Sequence, residues 1–569
     1  MGTLETLLAK ARGEETAELV LKGAKIFDVF SATFEEGDLY LAGGFILGRT
    51  PRPARESLDL SGLYLLPGFI EGHLHLESSY LLPQELARLL LSRGTTTVVC
   101  DPHEIANVLG LEGLFYLISE ARQTPLDFFF TVPSCVPASP FETAGAVLSA
   151  DEVATLLRRE DFIALGEMMN FPGVINGDPE VLSKIRAAKI LQKPIDGHAP
   201  TVGGKELEAY RLAGPASDHE CLRLEEAREK LRAGMRIFIR RGSVANNLPA
   251  LLPLVRPENA LFCSLVSDDV SARELLEEGH LDRALREAVA RGLAPETALR
   301  LVTISPALYF GLADRGGIFP GARADLVAVS DLKNFEVQYV WARGELVFQE
   351  GKWLPGQRRP APFPEHPVRL PEKIDLTIPH RGAKIRVIGL VPGEIVTEHL
   401  VLEPRVEDGE VVSDPSWDIL KIVCLERHHG TGRYTVGFVK GFGLKEGALG
   451  TTVAHDSHQM LLVGVEDADL LLAARRLKEL SGGLVVVAKG EILAELPLPV
   501  AGLLSNLTAE EVAERLEKLK EEARGLGSEL PEPFMALSFL SLAVIPSLKI
   551  TDRGLVDVEK FDFVDLFVA

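Results

Sequence analysis

The sequence predicts an α/β fold: a (β/α)8 barrel, a small β-sandwich flanking it, and a separate C-terminal α+β domain. Three observations predict it. Eight strand-like runs alternate with helix-like runs between residues 64 and 269, and eight β-α repeats favour a closed barrel over an open sheet. Short strand-like runs stand on both sides of that block. A stretch with six prolines in 17 residues, 355–371, then marks a semi-rigid boundary. At 569 residues the chain exceeds one compact core, so several domains are expected.

Taken in order, Leu19–Phe30 and Leu39–Leu47 alternate as strands do, with a turn read at Glu35-Glu36-Gly37. The barrel strands are read at Tyr64–His75, Thr95–Pro102, Asp127–Val136, Asp161–Asn170, Pro194–Pro200, Ala216–Glu220, Arg236–Gly242 and Ala260–Asp269. Leu222–Ala233 and Ala272–Arg291 read as helices between or after them. Gly321–Val327 and Val337–Phe348 read as strands that complete the first sheet. These runs divide the chain into a sandwich (1–66 and 316–354), a barrel (67–315), a linker (355–371) and a C-terminal unit (372–569).

Composition narrows the function. Apolar residues make up 46% and charged residues 25%, an ordinary globular balance. A net charge of -22 argues against a nucleic-acid partner, which would select a basic face. Charges run through Met1–Glu15, leaving no signal-peptide core, and the apolar run Phe534–Ile545 is too short to span a bilayer. No membrane partner is expected. Cys100, Cys135, Cys221, Cys263 and Cys424 form no C-x-x-C pair, which fits a reducing cytoplasm and excludes a thiolate zinc site.

The chemistry starts at Pro67-Gly68-Phe69-Ile70-Glu71-Gly72-His73-Leu74-His75. Histidines at i and i+2 on a strand point the same way, which in a barrel is inward near the mouth. Later strand ends deliver Glu167, His198, His219 and Asp268. Mixed nitrogen and oxygen donors of this kind suit two divalent cations such as Zn, Mn, Fe or Co. The bland reading, that each is a satisfied polar residue or a cap, holds for any one of them and weakens for six at matching places. His103 and Glu104 follow the second strand, where a supporting role, a third-metal role and a plain loop role stay open.

These residues carry a resemblance. The H-x-H after a Pro-Gly strand, the later single histidines and the final aspartate resemble the amidohydrolase superfamily. Longer blocks resemble its adenine deaminase family: His73-Leu74-His75-Leu76-Glu77-Ser78-Ser79, Asp101-Pro102-His103-Glu104-Ile105-Ala106-Asn107, Gly166-Glu167-Met168-Met169-Asn170-Phe171-Pro172-Gly173-Val174 and Asp196-Gly197-His198-Ala199-Pro200. Gly441-Phe442-Gly443-Leu444 and Thr452-Val453-Ala454-His455-Asp456-Ser457-His458 continue it beyond the linker. It covers nearly the whole chain from about residue 19.

The resemblance implies a metallo-dependent hydrolase barrel that deaminates adenine to hypoxanthine and ammonia. It implies two divalent ions (Mn, Fe or Zn, with Mn favoured). His73 and His75 hold one, His198 and His219 the other, and Glu167 bridges them where many superfamily members have a carboxylated lysine. Asp268 ligates and takes the proton of the water, whose pKa such a pair lowers from about 16 toward about 7. Glu77 is the candidate proton donor to the ring; its bland role is to orient a histidine. Ser78, Ser79, His103, Glu104, His455, Asp456 and His458 are candidates to contact the substrate or support the site. If 451–458 is extended, Asp456 and His458 share a face, closing the mouth, touching the purine or its leaving ammonia, or holding a further ion. The expected partners are a small purine base and a second copy of the chain, a dimer being favoured among homo-oligomers.

The sequence departs from the family at Val270-Ser271-Ala272, where Arg-His-Pro is expected, at Gln459 for Asn, and at Asn246 for Lys. The altered loop puts substrate preference in doubt, so another 6-aminopurine stays open. A cyclic-amide hydrolase of the dihydroorotase or hydantoinase type shares the barrel and metal pair; Glu167 and the large C-terminal unit speak against it. A metal-binding scaffold without turnover is the other rival, and the full ligand set speaks against it. His75-Leu76-Glu77 matches an H-x-E deaminase motif whose P-C-x-x-C is missing. Gly441–Gly447 reads as turn glycines, and the adjacent histidines of Glu426–His429 would face opposite sides of a strand.

Overall fold

The computed structural model describes residues 3–356, 360–391 and 394–568; of the linker at 355–371, residues 357–359 lie outside them. All eight expected barrel strands form. They are Phe69–His75, Thr95–Cys100, Asp127–Val132, Phe162–Met168, Ile195–Gly197, Ser217–Asp218, Arg236–Arg240 and Cys263–Val266. The first five pair in parallel, and so do the last three. The Ala216 N–H bridges the two groups by donating to the Ile195 carbonyl at 2.9 Å. The eighth strand runs on into Asp268–Asp269, which pairs with Leu74 and His75 of the first and closes the ring. The second strand is buried along its whole length, as a parallel strand covered on both faces must be.

One run read as a single strand is two. Tyr64–Pro67 pairs antiparallel with Leu326–Val329 in the flanking sheet, and only Phe69–His75 enters the barrel. Gly68 is the corner: a Cβ there would lie 2.1 Å from Thr96 Oγ1, so no larger residue fits between the two sheets.

The flanking sheet has nine strands. Leu326–Val329, Val337–Ala342, Glu345–Gln349 and Lys352–Trp353 extend the same sheet as the N-terminal strands. Leu21, Ile26, Leu39, Ile46, Leu326 and Trp341 share one core, so strands from both ends of the sheet face a common interior. The turn read at Glu35-Glu36-Gly37 is instead inside a strand, Thr33–Ala42. Lys25 lies opposite Glu36, and the Phe27 ring packs tilted against Phe34 at 5.0 Å. These pairs hold the register. The chain reverses earlier, at 29–32, where Asp28 accepts from Phe30 N and Ser31 Oγ.

The C-terminal unit centres on a second nine-stranded sheet. Its period-two pattern has two destinations. Val423, Leu425, Val485 and Val487 pack with Leu470, Ala473, Ala474 and Leu477 of helix Asp467–Glu479. Ile422, Cys424, Leu484 and Val486 join the large core that also contains the barrel's own side chains. The sheet is thus a layer between its helix and the barrel. Ser505 N–H donates to the Tyr80 carbonyl (2.8 Å), Thr143 N–H to Asp552 Oδ1 (3.0 Å) and Thr551 Oγ1 to the Phe141 carbonyl (2.8 Å). The loops after the first and third barrel strands are therefore covered by the second domain. No helix among the described residues is long and apolar enough to cross a membrane.

Candidate metal centre

Glu71, His73 and His75 alternate along the first barrel strand, so all three point inward. Glu71 lies deepest, accepting from His73 N–H at 3.0 Å and facing His280 Nε2 at 3.1 Å. His75 Nδ1 lies 3.0 Å from the Asp101 carbonyl, which turns Nε2 toward the site. There His75 Nε2 lies 3.1 Å from Asp268 Oδ1 and 3.3 Å from Glu167 Oε1. His73 Nε2 lies 3.5 Å from the same Asp268 oxygen.

Glu167 is the centre of the arrangement. Its Oε1 faces His75 and, at 3.5 Å, His103 Nδ1. Its Oε2 faces His198 Nδ1 at 2.7 Å and His219 Nε2 at 3.2 Å. Burial alone would raise its pKa, but the His198, His219 and His75 rings hold it well below the usual carboxylate range. Its backbone N–H donates to Asp101 Oδ2 at 2.8 Å. Asp268 is held down in the same way against its burial, by His73, His75 and Arg240. Its φ of 61° puts a non-glycine residue in the left-handed region at the end of the eighth strand.

The donors fit divalent cations. His73, His75 and Asp268 bring three ligand atoms within 4.8 Å of one another, as do His73, Glu167 and His219. Imidazole nitrogens and carboxylate oxygens are the donors that first-row divalent ions take. His73 Nε2 is moreover buried without a hydrogen-bond partner, an expensive state that a coordination bond relieves. Of the six expected ligands only His198 keeps appreciable exposure, 22% of its side chain, so it marks the open edge. A surface cleft of about 860 Å³ lies elsewhere, between residues 82–88, 122–125 and 342–356, and none of these ligands lines it.

The other expected residues fall around this core. Glu77 is buried, its Oε1 accepts from Ile105 N–H at 3.1 Å, and its Oε2 has no hydrogen-bond partner. Burial and the neighbouring Glu104 push its pKa up to about 7. Ser78 Oγ donates to Asp269, which places it at the mouth. Ser79 Oγ is used inside its own turn, donating to the Leu76 carbonyl at 2.7 Å. The 455–458 segment is a turn rather than an extended strand, because His458 N–H donates back to the Ala454 carbonyl at 2.6 Å. The shared-face argument for Asp456 and His458 therefore does not apply, yet the turn still brings His455, Asp456 and His458 to His103 and Glu104. Glu426–His429 is a loop: Glu426 accepts from the N–H groups of His428, His429 and Thr431, and the two rings meet the carbonyls of Ser457 and Ala144.

Three residues that sequence reasoning missed complete the site. Arg240 donates to Asp268 Oδ2 at 2.9 Å and to Glu220, tying two carboxylates together. Glu220 Oε1 lies 3.5 Å from His219 Nε2. Asp101 braces Glu167 and stands 3.6 Å from His103. Arg240 carries no motif; its position at the end of the seventh strand is the only signal that could have found it.

Comparison with known proteins agrees in both halves of the chain. Residues 64–347 match the Amidohydrolase family, and residues 394–562 match the Adenine deaminase C-terminal domain. The adenine deaminase of Desulfatibacillum aliphaticivorans is 47% identical over 565 residues, 99% of each chain. Those of Kosmotoga olearia (99% of each chain) and Methanothrix thermoacetophila (99% of this chain, 100% of the other) are each 44% identical. Among solved structures, a beta-aspartyl dipeptidase from Fervidobacterium islandicum AW-1 has a TM-score of 0.47 and 16% identity, covering 60% of this chain and 99% of its own.

Proposed function

Because the chain belongs to the adenine deaminase family of amidohydrolases, it deaminates adenine hydrolytically, and we propose that it does so with two divalent cations held by His73, His75, Glu167, His198, His219 and Asp268. The observation that carries this assignment is the division of labour at Glu167. Its Oε1 faces one histidine group and its Oε2 the other, the arrangement a bridging carboxylate needs. The donor set accepts manganese, iron or zinc, and we favour manganese on the family resemblance.

The bound pair would supply an acidified water at neutral pH. Asp268 accepts the proton that this water gives up, and Arg240 keeps the carboxylate ionised and oriented. Attack at C6 makes a tetrahedral carbon, and the ring nitrogen beside it must gain a proton. Glu77 is the donor: with a pKa of about 7 it still carries a proton near neutrality, and its Oε2 has no other partner. The proton on Asp268 passes to the amino group, which leaves as ammonia, while the new C6 hydroxyl gives up its proton on becoming the carbonyl and so restores the proton that Glu77 lost. We place the enzyme in the cytoplasm, which five unpaired, buried cysteines support.

The test is reconstitution of chelator-treated protein with Mn, Fe or Zn, assayed on adenine, other 6-aminopurines, hydantoin and dihydroorotate. Turnover of adenine and a Glu167→Ala variant that loses both metal and activity are expected. Full metal occupancy in that variant would assign the bridge to another residue.

A further inference from the structure

A second group of donors adjoins the first on the side of the C-terminal domain. His103 and Glu104 open the helix after the second barrel strand, and the 455–458 turn descends onto them. His103 Nε2 lies 3.6 Å from Asp456 Oδ1 and 3.8 Å from Glu104 Oε1. His455 Nδ1 lies 2.8 Å from Glu104 Oε1 and 3.7 Å from Asp456 Oδ1. His458 Nε2 pairs with Glu104 Oε2. The ligand atoms of His103, Glu104 and Asp456 all fall within 4.8 Å of one another.

An independent observation points to a ligand there. Asp456 Oδ2 is buried with no hydrogen-bond partner, on a side chain 7% exposed. Protein interiors rarely leave carboxylate oxygens in that condition. Nor are Glu104 and Asp456 the only acids present. Glu77 and Glu142, both buried, lie near Glu104 and Asp456 respectively. Such a concentration of carboxyl groups in a low-dielectric pocket is stabilised by a positive charge.

We propose that His103, Glu104, His455 and Asp456 hold a third divalent cation, separate from the pair on Glu167. The donors are two imidazoles and two carboxylates, a set that Zn, Mn and Fe accept. His103 would join the two centres, since its Nδ1 faces Glu167 Oε1 at 3.5 Å while its Nε2 faces the new site. Two of the four ligands come from the barrel and two from the C-terminal domain. The ion would therefore fasten the second domain over the barrel mouth, and its binding would stabilise the docked form. This site does not depend on which reaction the pair performs.

The experiment is metal analysis of full-length protein, stripped with chelator, reloaded with Mn2+ and desalted. About three ions per chain are expected for the wild type and about two for Asp456→Asn and His455→Gln, with the pair retained. A wild type that saturates at two overturns the proposal, as does either variant that still binds three. If the variants fail to fold, anomalous diffraction from wild-type crystals grown with Mn2+ decides. A peak among His103, Glu104, His455 and Asp456 is expected, and no peak there while the pair is fully occupied overturns it. In that case the cluster is held by imidazolium–carboxylate pairs alone.

Discussion

Gly166→Ala should damage the metal centre without touching any ligand. A Cβ on Gly166 would lie 2.3 Å from Asp101 Oδ2 and 2.9 Å from Thr131 Oγ1. The first atom cannot step aside cheaply, because it accepts the Glu167 N–H at 2.8 Å and belongs to a side chain only 1% exposed. Two costs follow. Overpacking a tight interior costs about 1–3 kcal/mol. Losing a hydrogen bond to a buried charge costs about 1.5–3 kcal/mol. The lower ends together give about 2.5 kcal/mol, a fall in melting temperature of about 5 °C or more for a domain of this size. Glu167 would move with its backbone, and disturbing such a support weakens metal affinity about 10- to 100-fold. Calorimetry and metal analysis on the same preparation test both numbers. Gly37→Ala is the control, since a Cβ there meets nothing within 4 Å. A Gly166→Ala protein as stable and as metal-replete as that control would refute the reasoning.

Other expectations follow from the same geometry. Asp268→Asn should cut turnover by at least about a hundredfold, the lower range for a general base, and metal content measured alongside separates a lost ligand from a lost base; near-normal turnover would exclude the role. Arg240→Met leaves the buried Asp268 and the partly exposed Glu220 without their shared cation, so it should destabilise the metal-free protein by about 3 kcal/mol, and an unchanged denaturant midpoint would show that the pair is not needed. Lys549 is fully buried, donates to the carbonyls of Ile395 and Phe539, and has its pKa pushed down to about 7 by burial. The unfolded chain keeps that proton up to about pH 10.5, so between about 7 and 10.5 it binds more protons and stability contributed at this site rises with pH. Lys549→Met should flatten that rise in urea midpoints measured across the window; an unaltered slope would assign it to other groups.

The barrel was legible because strand-like runs alternate regularly with helix-like runs, and several strands, such as Phe162–Met168 and Cys263–Val266, are largely apolar as buried parallel strands must be. Its ends were less legible. Tyr64–His75 reads as one run, but pairing of Tyr64–Pro67 with Leu326–Val329 draws its first part into the flanking sheet, and the close approach of Thr96 leaves room only for glycine at the corner. Glu35-Glu36-Gly37 looks like a turn by composition, yet Lys25 and Phe27 across the sheet keep that segment extended. Tertiary pairing overrides local preference in both places. At the site, the H-x-H and the single histidines at strand ends announced themselves by residue type. Arg240 and Glu220 did not, because an arginine or glutamate at a strand end is ordinary until its neighbours are known.

The C-terminal domain gives the clearest case of a role that spacing alone could not supply. Its 451–458 segment would put two side chains on one face if it were extended, but the chain turns at 455–457. The turn is fixed from behind by Arg427, which is wholly buried and donates to the carbonyls of His458 and Ala501. Gln459 accepts from Arg427 N–H at 3.0 Å and donates to the Thr143 carbonyl of the barrel loop. The position where the family usually has Asn is thus a strut between the two domains, and the longer Gln side chain spans the gap. A buried guanidinium set against carbonyl groups is a costly device unless the loop it holds must be rigid. The loop it holds carries His455, Asp456 and His458 to within reach of His103 and Glu104, beside Glu167. A barrel mouth left open would admit bulk water to that centre and weaken every electrostatic interaction in it. The second domain therefore supplies a wall over this site, tied to the barrel loops by hydrogen bonds at Tyr80, Phe141 and Thr143.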